Sequence, residues 1–345
     1  MSVRVVAAAH YRRQSALARN VAGRLLTLWR DLGPSGFRDA IIPAASIVTA
    51  GQLAAAYNSD EYVRTVVAEQ GVDAAPTILS PAGFAGVTAA GFGLQAALSS
   101  APARTWELLD AGVPYQEANL AGQARLTRVA SNEVQQASTN ATQAALTVDP
   151  RVTGYVRMLT PPSCGRCAIL AGRRYRWSSG FQRHPQCDCV HVPAVEADGV
   201  DDIRTDPMGY FNSLTEPEQA RMLGSEANAQ AVRDGADLSQ VVNVSRKADG
   251  RGGLYMHDGI QYTHEGATVR QGRAGRLIAE RQGMPLSEAL QTGQRVRRLT
   301  PRSIYELAGD DRSLAVELLR DNGYIRDAWT PGFRRSLSNV IRDFQ

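Results

Sequence analysis

Every cysteine in this chain lies between Cys164 and Cys189, and no other feature narrows its fold as much. The stretch from Ser163 to Cys189 reads SCGRCAILAGRRYRWSSGFQRHPQCDC. Cys164 and Cys167 form a CxxC pair, Cys187 and Cys189 form a CxC pair, and His184 stands three residues before the second pair. A tight turn at a CxxC aims two thiolates at one point. The gap between the pairs leaves room for a helical turn and a strand to loop out and return. Four thiolates complete the tetrahedron that zinc prefers, and His184 could replace one of them or support the site by a hydrogen bond from behind. The expectation is a structural Zn2+ held by Cys164, Cys167, Cys187 and Cys189, with His184 as the alternative or supporting ligand. Such a metal contributes about 10–16 kcal/mol of apparent binding free energy, enough for a short, aromatic-poor segment to depend on it.

Other readings of the window compete. Four buried thiols without a ligand are one, and a cysteine nucleophile with His184 as its base is another. Disulfides are disfavoured by compartment. The start, MSVRVVAAAHYRRQ, lacks the apolar run of a signal peptide, and no stretch reaches the roughly 18 apolar residues of a membrane span. A reducing cytosol is therefore expected, where clustered cysteines more often bind metal. Formal charge is mild at +4, and Lys247 is the only lysine. Genome composition explains the arginine bias plainly. Phosphate contact explains it more sharply, since guanidinium pairs bidentately with phosphate, although acidic residues are mixed with the arginines along most of the chain. Around the cysteines, Arg173, Arg174, Arg176 and Arg183 alternate with Tyr175 and Trp177. That texture can track a phosphate backbone and stack bases, as a zinc knuckle does, or it can be the solvated face and small core of a metal-held loop.

Hydrophobic periodicity places the window between helical regions. Val5 to Trp29 reads as an amphipathic helix ended by DLGPSG. Helical patterns follow at Thr49–Gln70 and between Ala82 and Asp110. Pro114 opens the longest helical signal, to Thr147, with Leu126, Ala130, Val134, Ala137, Ala141 and Ala145 on one narrow stripe. TGYVRMLTPP, RYRW and CVHVPAV read as strands. SLTEPEQARMLGSEANAQAVRDG reads as one helix, opened by a Thr215/Glu218 capping box and stopped at Gly235. LYMHDGIQYT reads as a hairpin turning at Asp258-Gly259. Pro301–Ala308 and Arg312–Arg320 read as helices before Asn322-Gly323.

CGRCAILAG followed by FQRHPQCDCVHVP resembles the signature of Mu F-like phage minor head proteins, which carry a CxxC, a downstream Leu-Ala-Gly and an HPxCxC. The helix ARLTRVASNEVQQAS is similar to the arginine-rich helix leading into that domain, and the resemblance runs from about Pro114 to Ile325. It implies a non-enzymatic head-morphogenesis (minor capsid) protein, acting in procapsid assembly or DNA delivery. The implied partners are portal, major capsid or scaffold proteins, with packaged DNA as a second ligand. The implied location is the host cytoplasm during assembly, then the interior of the virion head. No membrane and no small-molecule substrate enter this reading.

Related proteins are also labelled capsid maturation proteases. That alternative finds no GxSxG here, and its candidates are Ser245, His257 and His264 on and before the hairpin. A zinc-knuckle DNA-binding protein is the second alternative. The expected fold is mainly α, of the α+β class. An N-terminal helical module (1–112) is joined by a long connecting helix to a small Cys-rich, zinc-binding Mu F-like domain (113–199). An α/β tail with a hairpin and terminal helices (200–345) follows.

Overall fold

The computed structural model describes residues 2–73, 75, 79–179, 189–196, 200, 203, 205–246 and 253–325. The fold is mainly helical, with thirteen α-helices and two small three-stranded sheets among the described residues. The chain divides into two compact units. The first holds Met1–Ser163 and Leu170–Thr205, and the second holds Cys164–Ile169 and Asp206–Gln345.

Four long helices build the first unit: α1 (Val3–Asp39), α2 (Ile41–Glu69), α3 (Leu94–Asp110) and α4 (Tyr115–Val148). Ser2 caps α1 by accepting from the Val5 amide. DLGPSG does not end that helix but kinks it. Gly33 takes φ 67° and ψ 178°, and helix resumes at Pro34, whose missing N–H is no loss in a first turn. Between Ala82 and Asp110 helix forms only from Leu94, after a short 3-10 turn at Pro81–Phe84. All six residues of the α4 stripe are buried. Leu126, Ala130 and Val134 pack with Trp29, Leu25 and Val48 in one core. Small residues let the backbones approach. A Cβ on Gly122 would stand 2.1 Å from Thr105 Oγ1 and 3.0 Å from the Trp29 ring, and one on Gly51 would stand 2.5 Å from Val21 Cγ2. The helices on both sides of the expected boundary at residue 112 therefore share one core.

The far ends of α1, α2 and α4 carry an antiparallel sheet of order β2-β1-β3, made of β1 (Gly154–Leu159), β2 (Arg174–Arg176) and β3 (Cys189–Ala194). β1 pairs along its whole length with β3, Leu159 opposite Cys189 and Arg157 opposite His191. Both strands are buried throughout. Val156, Val190 and Val192 join Val6, Tyr62, Val66 and Leu146 of the helices in a second core.

The second unit begins with the short helix α5 (Gly165–Leu170), of which Leu170 belongs to the first unit. Gly165 lies so close to Val242, Leu223 and the Met222 carbonyl that a Cβ would meet them at 2.8–3.2 Å. Then come α6 (Pro207–Asn212), α7 (Glu216–Leu223), α8 (Glu226–Arg233) and α9 (Leu238–Val242). The single helix expected after Leu214 is in fact two. Its Thr215/Glu218 capping box forms, but Gly224 adopts φ 82° and Ser225 caps a new helix. The hairpin of β4 (Leu254–His257) and β5 (Ile260–Thr263) turns through Asp258 (φ 50°) and Gly259 (φ 75°), the two positive φ values of a type I′ turn. α10 (Arg273–Arg281), α11 (Leu286–Thr292), β6 (Arg298–Leu299), α12 (Pro301–Ala308) and α13 (Arg312–Asp321) complete the unit. β6 extends the hairpin to a sheet of order β4-β5-β6. On β6 the buried Arg298 donates to the Asn322 and Glu265 carbonyls and to Gln240 Oε1, with its guanidinium 4.1 Å from the Tyr324 ring centroid. One side chain thereby joins three segments far apart in sequence.

Candidate functional site

The site is built on β1 and β3, because alternation along paired strands puts Tyr155, Arg157 and Leu159 on the same face as Cys189, His191 and Pro193. Arg157 is buried and donates from Nε (3.1 Å) and Nη2 (2.9 Å) to Cys189 Sγ. The two N–H···S contacts fix the Cys189 side chain on this face of the sheet. Tyr155 stacks between two rings, 4.8 Å from His191 and 5.2 Å from Tyr175. Burial pushes the Tyr155 hydroxyl well above its usual range. The Tyr62 hydroxyl donates to the His191 carbonyl at 2.8 Å and fixes β3 against α2.

Beside β3, between α1 and α4, lies a partly open pocket of about 40 Å³ lined by His10, Gln14, Ser138, Thr142, Cys189 and His191, among others. Gln14 is buried; its Nε2 donates to the Ala55 carbonyl, while its Oε1 accepts no hydrogen bond among the described residues. His10 stacks on Tyr62 at 4.0 Å. His10 Nε2 lies 3.4 Å from Ser138 Oγ, which lies 2.9 Å from Ser59 Oγ. Burial, helped by Arg13, lowers the His10 pKa to about 3. A serine beside an imidazole suggests a nucleophile and base. Here the separation is long, the serine is shared with a second hydroxyl, and so weak a base cannot activate it at neutral pH. None of these residues is marked by sequence spacing. His10, Gln14, Ser59 and Ser138 come from three helices and meet only through packing.

The structure places the sequence-predicted residues as follows. Cys164 and Cys167 belong to the second unit, half-buried and buried respectively. Cys189 belongs to the first. Cys187, His184 and Arg183 lie outside the described residues. Among the described residues no three His, Cys, Asp or Glu side chains form a metal-holding group. Arg173, Arg174, Arg176 and Trp177 are exposed on and beside the edge strand β2. Arg174 Nη2 also donates to Thr153 Oγ1, and Tyr175 turns inward onto Tyr155 instead of presenting a stacking face. On the hairpin, His257 Nε2 faces Asp258 at 3.1 Å and the His264 ring stacks on Tyr255 at 4.3 Å. Ser245 is exposed in the turn after α9, and no hydrogen bond joins its hydroxyl to either histidine among the described residues. No single described helix is long and apolar enough to cross a membrane.

A mainly helical chain with a small cysteine-bearing sheet is the class of protein these observations define. The profile of the VG15 protein family matches residues 1–216, so the chain belongs to that family, a group of viral and phage gene products, and is phage-derived. No curated protein and no solved structure gives a significant match.

Proposed function

We propose that this protein is a minor head protein of a tailed phage, non-enzymatic, acting in procapsid assembly or DNA delivery. The observation that carries the reading is the CGRC…HPQCDC window, which resembles the Mu F-like signature, inside a chain that belongs to a phage gene-product family. Its partners in this reading are portal, major capsid or scaffold proteins, and it travels from the host cytoplasm into the head. Zn2+ belongs to the same proposal. Cys164, Cys167, Cys187 and Cys189 would hold it, with His184 replacing or supporting one of them. The donor set suits the metal, because four cysteine sulfurs match the tetrahedral, sulfur-rich coordination that structural zinc takes. The metal would supply a fixed fold around the loop and nothing to a reaction.

Procapsids purified from cells with the gene intact and with the gene deleted test the proposal. The expected result is the chain in wild-type procapsids at a few copies each, and deletion particles that assemble with cleaved capsid protein but reduced infectivity. A chain absent from procapsids overturns the head assignment. Loss of capsid-protein cleavage on Ser245→Ala, His257→Ala or His264→Ala, with the chain still incorporated, replaces it with the maturation protease.

A further inference from the structure

α1 carries six arginines, Arg4, Arg12, Arg13, Arg19, Arg24 and Arg30, before the first acidic residue of the chain, Asp31. All six are exposed, while Ala18, Val21, Leu25 and Trp29 bury the opposite face. At about 100° per residue, Arg12, Arg19 and Arg30 fall within roughly 20° of one another, and Arg13 and Arg24 form a second row about 120° round the helix. Val5, Ala9, Ala16, Asn20, Gly23 and Thr27 occupy the exposed surface between the rows, none is longer than asparagine, and Asp31 stands at the C-terminal end of the second row. The first row spans about 27 Å from Arg12 to Arg30. Glu61 of α2 pairs with Arg13 at 3.5 Å. Arg12, Arg19, Arg24 and Arg30 make no ion pair among the described residues.

We propose that the solvent face of α1 is a duplex-DNA-binding surface, with Arg12, Arg19, Arg24 and Arg30 contacting phosphates on either side of a groove. Four uncompensated guanidinium groups along one helix repel one another and attract a polyanion. Guanidinium matches phosphate geometry bidentately. A major groove about 12 Å wide admits a helix. A spine of small residues brings this helix close, so that the row of Arg12, Arg19 and Arg30 meets one strand and Arg24 reaches the other. The arginines address phosphates, so the contact is to the backbone and sequence-independent. This surface is separate from Arg173, Arg174 and Arg176 on β2, and it holds whether or not the chain enters a phage head.

The test uses the full-length chain and fluorescence anisotropy on a labelled 30-base-pair duplex of arbitrary sequence, titrated across about 50–300 mM salt. The variant R12Q/R19Q/R24Q/R30Q should lower the salt slope by roughly three to four units, about 0.9 for each phosphate that it no longer neutralises. R173S/R174S/R176S should leave that share of the slope in place. A16L/G23L keeps every charge and should still weaken binding, because bulk on the spine holds the helix off the groove. An unchanged slope in the glutamine variant, with its helical circular dichroism intact, overturns the proposal. So does equal affinity for polyglutamate of matched charge, which would assign the face to an acidic protein.

Discussion

His10 shows how one buried residue sets a condition on the whole first unit. Its imidazole is stacked on Tyr62 and enclosed by α1, α2 and α4, and its pKa falls from 6.5 to about 3. In the unfolded chain it takes a proton below about 6.5. In the folded chain it stays neutral until about 3. The unfolded state therefore binds more protons between those values, and stability falls as pH drops through that window, by about 1.4 kcal/mol per pH unit. His10→Phe keeps the stack and removes the titration. Urea melts at pH 4.5 and 6.5 should show wild type losing about 2 kcal/mol more stability than the variant. Equal losses would mean that His10 is hydrated or charged in the folded chain. No sequence pattern announces this residue, because a histidine at a buried helical position looks like any other on one chain. The cysteines are the opposite case. CxxC and CxC are local spacings, so the sequence alone singles out Cys164, Cys167, Cys187 and Cys189 as one candidate set. Arg157, which contacts Cys189 at 2.9 Å, was hidden in a strand separated from it by a turn of helix and an edge strand.

Elements were legible where one local signal decided them. The α4 stripe, the Thr215/Glu218 capping box and the Asp258-Gly259 turn all stand as their residues dictate. The misreadings share a cause, which is that glycine can either break or bend a helix. Gly33 with Pro34 bends α1 without ending it, and Gly224 divides what periodicity alone joined. α10 and α11 escaped because they span only nine and seven residues and neither opens on a side-chain cap that would mark its start. Glycine also distinguishes positions within helices. Gly122 faces Thr105 and Trp29, with Trp29 held by its indole N–H donating to Asn119 Oδ1 at 2.8 Å. Gly23 has nothing within 4 Å. Gly122→Ala should therefore lower stability by about 1–3 kcal/mol through overpacking. Gly23→Ala should raise it by about 0.4–1 kcal/mol through the unfolded state. Denaturant midpoints at constant m-value read both. Changes of the same sign would show that helix propensity, not the α1–α4 approach, decides at Gly122.

At the scale of the whole molecule, family, unit and motif boundaries do not coincide. The VG15 match ends at residue 216, the first unit closes at Thr205, and Cys164–Ile169 leaves the first unit's chain to pack in the second. Such a division rests on contacts between residues far apart in sequence, so composition and periodicity could not mark it. All four cysteines nevertheless fall inside the family match, and this makes metal content the sharpest whole-chain measurement. One tetrahedral site takes four ligands, so the full-length chain expressed without added metal should carry about one zinc. Removing it with a chelator should lower stability by several kcal/mol, because the binding free energy of a structural zinc is largely folding free energy. Ligand identity follows from two variants. If four cysteines bind, Cys187→Ser should lose the metal and His184→Ala should keep it with weaker affinity, about 10–100-fold if the histidine only supports a ligand. If His184 is itself a ligand, its loss should match that of Cys164→Ser, and one cysteine should prove dispensable. Wild-type chain with no metal and four titratable thiols in the native state would remove the zinc altogether, and the Arg157–Cys189 contact would then have to be explained as packing alone.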